Sequence, residues 1–110
     1  MKPVLFILMM LVSVMSQASL PSNMHTVTED DCVKSEEVIQ GAINARGEID
    51  YETVIVVLGR PEYKKMDGLT DMLPMTKDYL KKVFFENMSN TDEFWRSCMQ
   101  KVGTQIPRQL

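Results

Sequence analysis

Cysteine and histidine are the scarcest reactive residues of this chain, and their positions limit the chemistry that it can perform. The chain has two cysteines, Cys32 and Cys98, and one histidine, His25. A metal site needs several His, Cys or carboxylate ligands, and a cysteine nucleophile needs a neighbouring base. One histidine near the amino end supports neither, so we predict that the protein is not an enzyme and holds no metal ion or cofactor.

Acidic pairs and glycines offer no stronger catalytic signal. Asp30-Asp31 and Glu36-Glu37 could act as paired acids, but the first pair stands at a predicted helix start and the second on its solvated face. The glycines are isolated and form no phosphate-binding loop. One modification motif is present, because Asn87-Met88-Ser89 matches the acceptor pattern for N-glycosylation. The sequence leaves open whether Asn87 is modified.

The amino terminus has the pattern of a secretory leader. A lysine precedes an unbroken apolar run from Val4 to Val12, and Ser16-Gln17-Ala18 supplies the small residues that a signal peptidase requires. The apolar stretch is about a dozen residues long, whereas a membrane-spanning helix needs about 20. We therefore predict a signal peptide over residues 1–18 and a secreted, extracellular product without a membrane span.

The rest of the chain has the composition of one small acidic domain. Twelve Lys and Arg against 15 Asp and Glu give a formal charge of -3, and loss of one lysine with the leader gives -4. No basic run is present, so we predict no nucleic-acid partner. A domain of this size hides only about 60 to 65 % of its surface on folding, so a cross-link would help to stabilise it. In an oxidising compartment Cys32 and Cys98 should be bonded, either within one chain or between two chains.

Hydrophobic spacing predicts an all-α, small four-helix bundle-like domain over residues 29–102. Thr28 is expected to cap a first helix from Glu29 to Asn44. A second helix is expected from Tyr51 to Leu58. Val54 to Val57 are β-branched and also suit a buried strand, but the sequence contains no second strand-like run to pair with them.

Prolines and caps organise the second half of the chain. A third helix is predicted to begin at Pro61 and to end before Pro74, and Thr76 is expected to cap a fourth. Residues 89–92 either kink this fourth helix or separate it from a last helical piece over Glu93–Val102. Outside the domain we expect a flexible leader over residues 19–28 and a C-terminal tail over residues 103–110.

The leader, the four short helices and the cysteine near each end together resemble the secretoglobin (uteroglobin-like) family. The segment from Cys32 to Ile39 is similar to the first helix of that family, and Tyr51–Leu58 is similar to its second. Met72-Leu73-Pro74-Met75-Thr76-Lys77, followed by Leu80 and Val83, is similar to the junction into its last helix. The resemblance covers roughly residues 30–100, and the two cysteines are its strongest part.

The resemblance implies a disulfide-linked antiparallel dimer, formed with a second copy or with a related chain, in which Cys32 of one chain bonds Cys98 of the other. It also implies an apolar cavity that binds small hydrophobic ligands of the steroid or lipid type. The residues expected to line that cavity are Val38, Ala42, Tyr51, Leu58, Leu80, Val83 and Phe84. The alternative function is a secreted helical effector (a defence, venom or signalling peptide), which a packed monomer with an exposed apolar patch would favour.

Overall fold

The computed structural model describes residues 23–66 and 68–109, so the predicted signal peptide and its cleavage after Ala18 lie outside the described residues. Within these residues the chain forms five helices and a two-stranded antiparallel ribbon. The elements are β1 (Met24–Thr26), α1 (Glu29–Ala45), α2 (Tyr51–Leu58), α3 (Pro61–Lys64), α4 (Leu73–Glu86), α5 (Asp92–Lys101) and β2 (Gln105–Pro107). The prediction of a mainly helical domain is confirmed, and the ribbon is an addition to it.

Side-chain caps fix the starts of α1 and α2. The Asp31 N–H donates to Thr28 Oγ1 at 3.1 Å, and the Thr28 N–H donates to Asp31 Oδ2 at 2.9 Å, which makes a capping box. Asp50 Oδ1 accepts bonds from the hydroxyl and the N–H of Thr53, and these bonds hold the pKa of Asp50 below its ordinary value. Both helices start where predicted, and α2 has the predicted bounds, so the helical interpretation of Val54 to Val57 is confirmed.

The middle of the chain differs from the sequence prediction. Helix α3 ends at Lys64 and turns follow it. Among these turns Gly68 adopts a φ of 80°, which an α-helix does not contain, so the helix cannot continue to Pro74 as predicted. Pro74 lies in the first turn of α4, where a proline sacrifices no intrahelical hydrogen bond. It therefore begins a helix instead of ending one. The predicted cap Thr76 lies inside α4, where its hydroxyl donates to the Met72 carbonyl at 2.9 Å.

A residue in left-handed conformation ends α4 and separates it from α5. Asn87 has a φ of 56° at the C-cap position. Nearby, Arg46 donates to the carbonyls of Val83 at 3.2 Å and Met88 at 2.8 Å, so it satisfies acceptors that a helix end leaves unpaired. Of the two alternatives for residues 89–92, the structure shows a break between two helices.

One hydrophobic core joins α1, α4 and α5, and α2 packs against α4. The largest fully buried side chain is Phe94, whose ring makes an edge-on contact with Tyr79 at a centroid distance of 5.2 Å. At the surface, Lys82 lies 2.9 Å from Glu93, and this hydrogen bond raises the pKa of Lys82. Other fully buried members of the core are Val27, Ile39, Met72, Leu80 and Val83.

The disulfide lies inside this core and joins Cys32 to Cys98 of the same chain, with their Cα atoms 5.8 Å apart. Both cysteines are completely buried, and the bond connects the first turn of α1 to α5. This corrects the pairing between chains that the resemblance implies. Because both cysteines are used within the chain, no thiol remains to link a second copy covalently.

The ribbon is built from segments that were predicted to be a flexible leader and tail. Met24–Thr26 pairs antiparallel with Gln105–Pro107, and the Val27 N–H extends the pairing by donating to the Thr104 carbonyl at 2.9 Å. Parts of the predicted leader and tail are therefore paired strands in the structure. The physical reason is burial, because Val27 is only 1 % exposed and fixes the leader against the helical core.

Candidate ligand-binding cleft

The residues predicted to line one cavity are distributed over three places. Leu80 and Val83 are fully buried and belong to the packed core. Tyr51 and Phe84 contact each other edge-on, with ring centroids 6.4 Å apart, and Tyr51 also lies 5.6 Å from Phe85. Tyr51 and Phe84 are partly buried and pack against the core, whereas Phe85 is 71 % exposed. We call these three rings the aromatic face, and they line neither the small groove nor the methionine cleft described below.

A small groove between α1 and α2 contains the other three predicted residues, Val38, Ala42 and Leu58. Its volume is about 200 Å³, and Val54 and Val57 complete much of its apolar wall. A dry cavity of about 150 Å³ accommodates benzene, whereas ligand sites commonly measure about 300 to 1,000 Å³. The small groove therefore suits a single ring and not a steroid.

A larger cleft, which we call the methionine cleft, lies beside the ribbon and has a volume of about 400 Å³. This volume falls within the range of ordinary ligand sites. Its apolar wall is formed by Val27, Met72, Pro74, Met75, Tyr79, Ile106 and Pro107. Polar side chains enter the wall from Asp71, Asp78, Ser97, Lys101 and Gln109. A mostly apolar wall with a few polar groups is the usual composition of a small-molecule site.

The start of α4 positions the centre of this wall. Met72, Met75 and Tyr79 follow one another at helical spacing, so they share one face. The Tyr79 hydroxyl donates to Ser97 Oγ at 3.0 Å, and Lys82 Nζ lies 4.8 Å from the centre of the tyrosine ring. This face was not predicted, because Pro74 was expected to end a helix, although the spacing of the three residues was a usable signal.

A buried polar cluster, the His25 cluster, adjoins the cleft and consists of His25, Asp31 and Asp71. His25 Nε2 donates to Asp31 Oδ2 at 2.7 Å, and His25 Nδ1 lies 3.6 Å from Asp71 Oδ2. All three residues are less than one tenth exposed. Gly68 closes over Asp31, and a Cβ atom at this position would collide with the Asp31 carboxylate. The sequence places His25 in the predicted flexible leader and assigns it no role, whereas the structure buries it.

The C-terminal residues complete the neutralisation of this cluster. The Gln109 N–H donates to Asp71 Oδ1 at 2.8 Å, and Arg108 Nη1 lies 3.5 Å from Asp71 Oδ2. The cluster thus joins β1, the start of α1, the turn before α4 and the segment after β2. Because each carboxylate is already bonded, the cluster can hold the cleft in shape but presents no activated nucleophile.

The glycosylation motif lies at the other end of α4. Asn87 and Ser89 are both exposed at the helix end, where an enzyme can reach them. We expect the protein secreted from a glycosylating cell to lose mass on treatment with a peptide N-glycosidase. Asn87→Gln should abolish this mass change, and Asn90→Gln, an exposed asparagine outside the motif, should preserve it. If enzyme treatment leaves the mass of the parent protein and of both variants unchanged, the motif is unused.

Comparison with protein-family models, with curated proteins and with solved structures finds no match to this chain. The secretoglobin resemblance therefore stays a prediction from the sequence. Over residues 23–66 and 68–109, no group of three His, Cys, Asp or Glu side chains is placed to hold a metal ion. In the same part of the chain, no helix combines the length and the apolar character that a membrane crossing needs.

Proposed function

We propose that this protein is a secreted binding protein for small hydrophobic molecules and that the methionine cleft holds them. The observation that carries the proposal is the cleft itself, with its volume of about 400 Å³ and a wall centred on Met72, Met75 and Tyr79. Burying apolar surface favours binding by about 0.8 kcal/mol for each CH₂ group. Methionine side chains also adapt to guests of different shape.

The cleft belongs to a single chain, so this function does not depend on a dimer. Residues from β2, α4 and α5 of one chain complete its wall. The internal disulfide supports the proposed secretion, because such bonds persist in oxidising compartments. Pairing with a second copy or with a related chain would be an additional property and not a condition for binding.

A probe titration tests the proposal. The neutral dye N-phenyl-1-naphthylamine becomes fluorescent in an apolar site, and we expect the secreted protein to bind it at micromolar concentration. Met75→Glu places a charge in the methionine cleft and should weaken binding by about tenfold or more, which corresponds to at least 1.4 kcal/mol. Val57→Glu is a matched control, because Val57 is also partly buried but lines the small groove. Circular dichroism should show that both variants remain helical.

The two variants distinguish the two grooves. Loss of binding in Met75→Glu alone supports the methionine cleft. Loss in Val57→Glu alone would move the site to the small groove, and it would limit the ligands to single rings. If the parent protein binds no apolar probe at all, the proposed function is wrong.

The aromatic face favours a second candidate function, that of a secreted helical effector acting through its surface. Phe85 is 71 % exposed and its ring lies beside Tyr51, an arrangement that is typical of interaction surfaces. The internal disulfide is also what this alternative expects. Phe85→Ser should leave both the helical content and dye binding unchanged. If it abolishes dye binding instead, the probe reports the aromatic face and not the cleft.

A further inference from the structure

We propose that the ligand of the methionine cleft is an amphiphilic anion: a single apolar chain occupies the cleft, and its anionic headgroup lies in an adjoining basic groove. This inference rests on the proposed function and specifies the class of ligand. It follows from the positive charges beside the cleft, because a purely apolar ligand would give these charges no role.

The basic groove has a volume of about 380 Å³ and presents three cationic side chains, Lys64, Lys65 and Arg108. Thr70 adds a hydroxyl to its wall. Asp71 and Gln109 line both this groove and the methionine cleft, so the two spaces adjoin each other. A molecule that fills the cleft can therefore place one end among the cations.

Among the described residues that line the basic groove, the one carboxylate is that of Asp71, and it is already compensated. Asp71 accepts the Gln109 N–H at 2.8 Å, and its other oxygen lies 3.5 Å from Arg108 and 3.6 Å from His25. By contrast, Lys64 and Lys65 form no ion pair with any carboxylate of the residues that the structure describes. The described lining of the groove therefore carries an excess of positive charge, on a chain whose formal net charge is -3.

Charge complementarity selects the headgroup, and the neighbouring apolar wall selects the tail. A free inorganic anion would contact only exposed cationic side chains, whose individual contributions in water are small. A neutral apolar molecule would leave the lysines without a partner. An anion with an attached alkyl chain uses both surfaces at once, which raises its affinity above that of either fragment.

A headgroup series at constant chain length tests this inference. The full secreted protein is loaded with N-phenyl-1-naphthylamine, and the dye is displaced with decanoate, decan-1-ol or decyltrimethylammonium at neutral pH. We expect decanoate to displace the dye at about tenfold lower concentration than decan-1-ol. Raising the NaCl concentration to about 0.5 M should reduce that preference, because salt screens exposed charges.

Two matched double variants assign the preference to the groove. Lys64→Gln with Lys65→Gln should bring decanoate to within about twofold of decan-1-ol, while the affinity for decan-1-ol stays unchanged. Lys77→Gln with Lys81→Gln removes the same charge from α4, outside both spaces, and should keep most of the tenfold preference.

The failures of the two proposals differ. The assignment of an anionic headgroup is wrong if decan-1-ol binds as well as decanoate or if the cationic amphiphile is preferred. It is also wrong if both double variants lose the same affinity for decanoate. In each of these cases the cleft remains the binding site. If inorganic phosphate stabilises the protein against unfolding and no decyl compound displaces the dye, the assignment of an apolar chain to the cleft is wrong. Absence of dye binding in the parent protein contradicts the proposed function itself.

Discussion

Replacing Cys32 and Cys98 together by alanine is expected to lower the free energy of unfolding by about 4 kcal/mol. The bond spans a sequence separation of 66 residues, so in the chain-entropy model its removal releases a long loop of the unfolded chain. Both side chains are also completely buried, so the substitutions remove packing from the core. Urea denaturation followed by circular dichroism measures the difference.

Reductant supplies the matched control for this experiment. It should shift the urea midpoint of the parent protein toward that of the double alanine variant and leave the variant itself unchanged. On a non-reducing gel the parent protein should migrate as a single chain, because its bond is internal. A band at twice the chain mass that collapses on reduction would show a bond between chains and would contradict the structure.

Local signals were sufficient to predict where the first two helices begin. Thr28 and Asp50 are capping residues whose partners lie three residues further along the chain, so the information is contained in a short window. The disulfide partners were also predictable, because the chain has only two cysteines. The choice between a bond within the chain and a bond between chains needed the folded geometry, since it depends on whether the start of α1 lies beside α5.

Features that depend on distant partners could not be predicted in the same way. β1 and β2 are three residues each, too short to show an alternating pattern, and each forms only because the other end of the chain lies beside it. For the same reason His25 had no visible role in the sequence. Its acceptor Asp31 is six residues away, and Asp71 reaches it only through the fold.

Hydrophobic spacing predicts burial but does not distinguish a core from a cavity. Leu80 and Val83 lie on the apolar face of α4 as predicted, and the structure packs them completely. The methionine cleft instead lies where α4 meets the ribbon, at a junction of elements that the sequence did not place together. The candidate site was therefore predictable in its chemical character and not in its location.

His25→Ala is expected to lower the free energy of unfolding by about 3 kcal/mol, because it leaves buried carboxylates without the group that faces them. His25 lies 2.7 Å from Asp31 and 3.6 Å from Asp71, whose side chains are 4 % and 8 % exposed. Urea denaturation measures the loss. Thr26→Ala on the same strand removes only the exposed hydrogen bond from Gln105 and should cost less than about 1 kcal/mol.

A double-mutant cycle separates the His25–Asp31 interaction from general damage to the strand. Asp31→Asn preserves the shape of the side chain but removes its charge, so combining it with His25→Ala should cost less than the sum of the single losses, by about 1 to 3 kcal/mol. The ribbon also supplies Ile106 to the methionine cleft, so His25→Ala should weaken dye binding at a urea concentration that leaves the helices intact. Strictly additive losses would show that His25 stabilises the ribbon without coupling to Asp31. Unchanged dye binding with a loosened ribbon would show that the cleft does not depend on the strand that borders it.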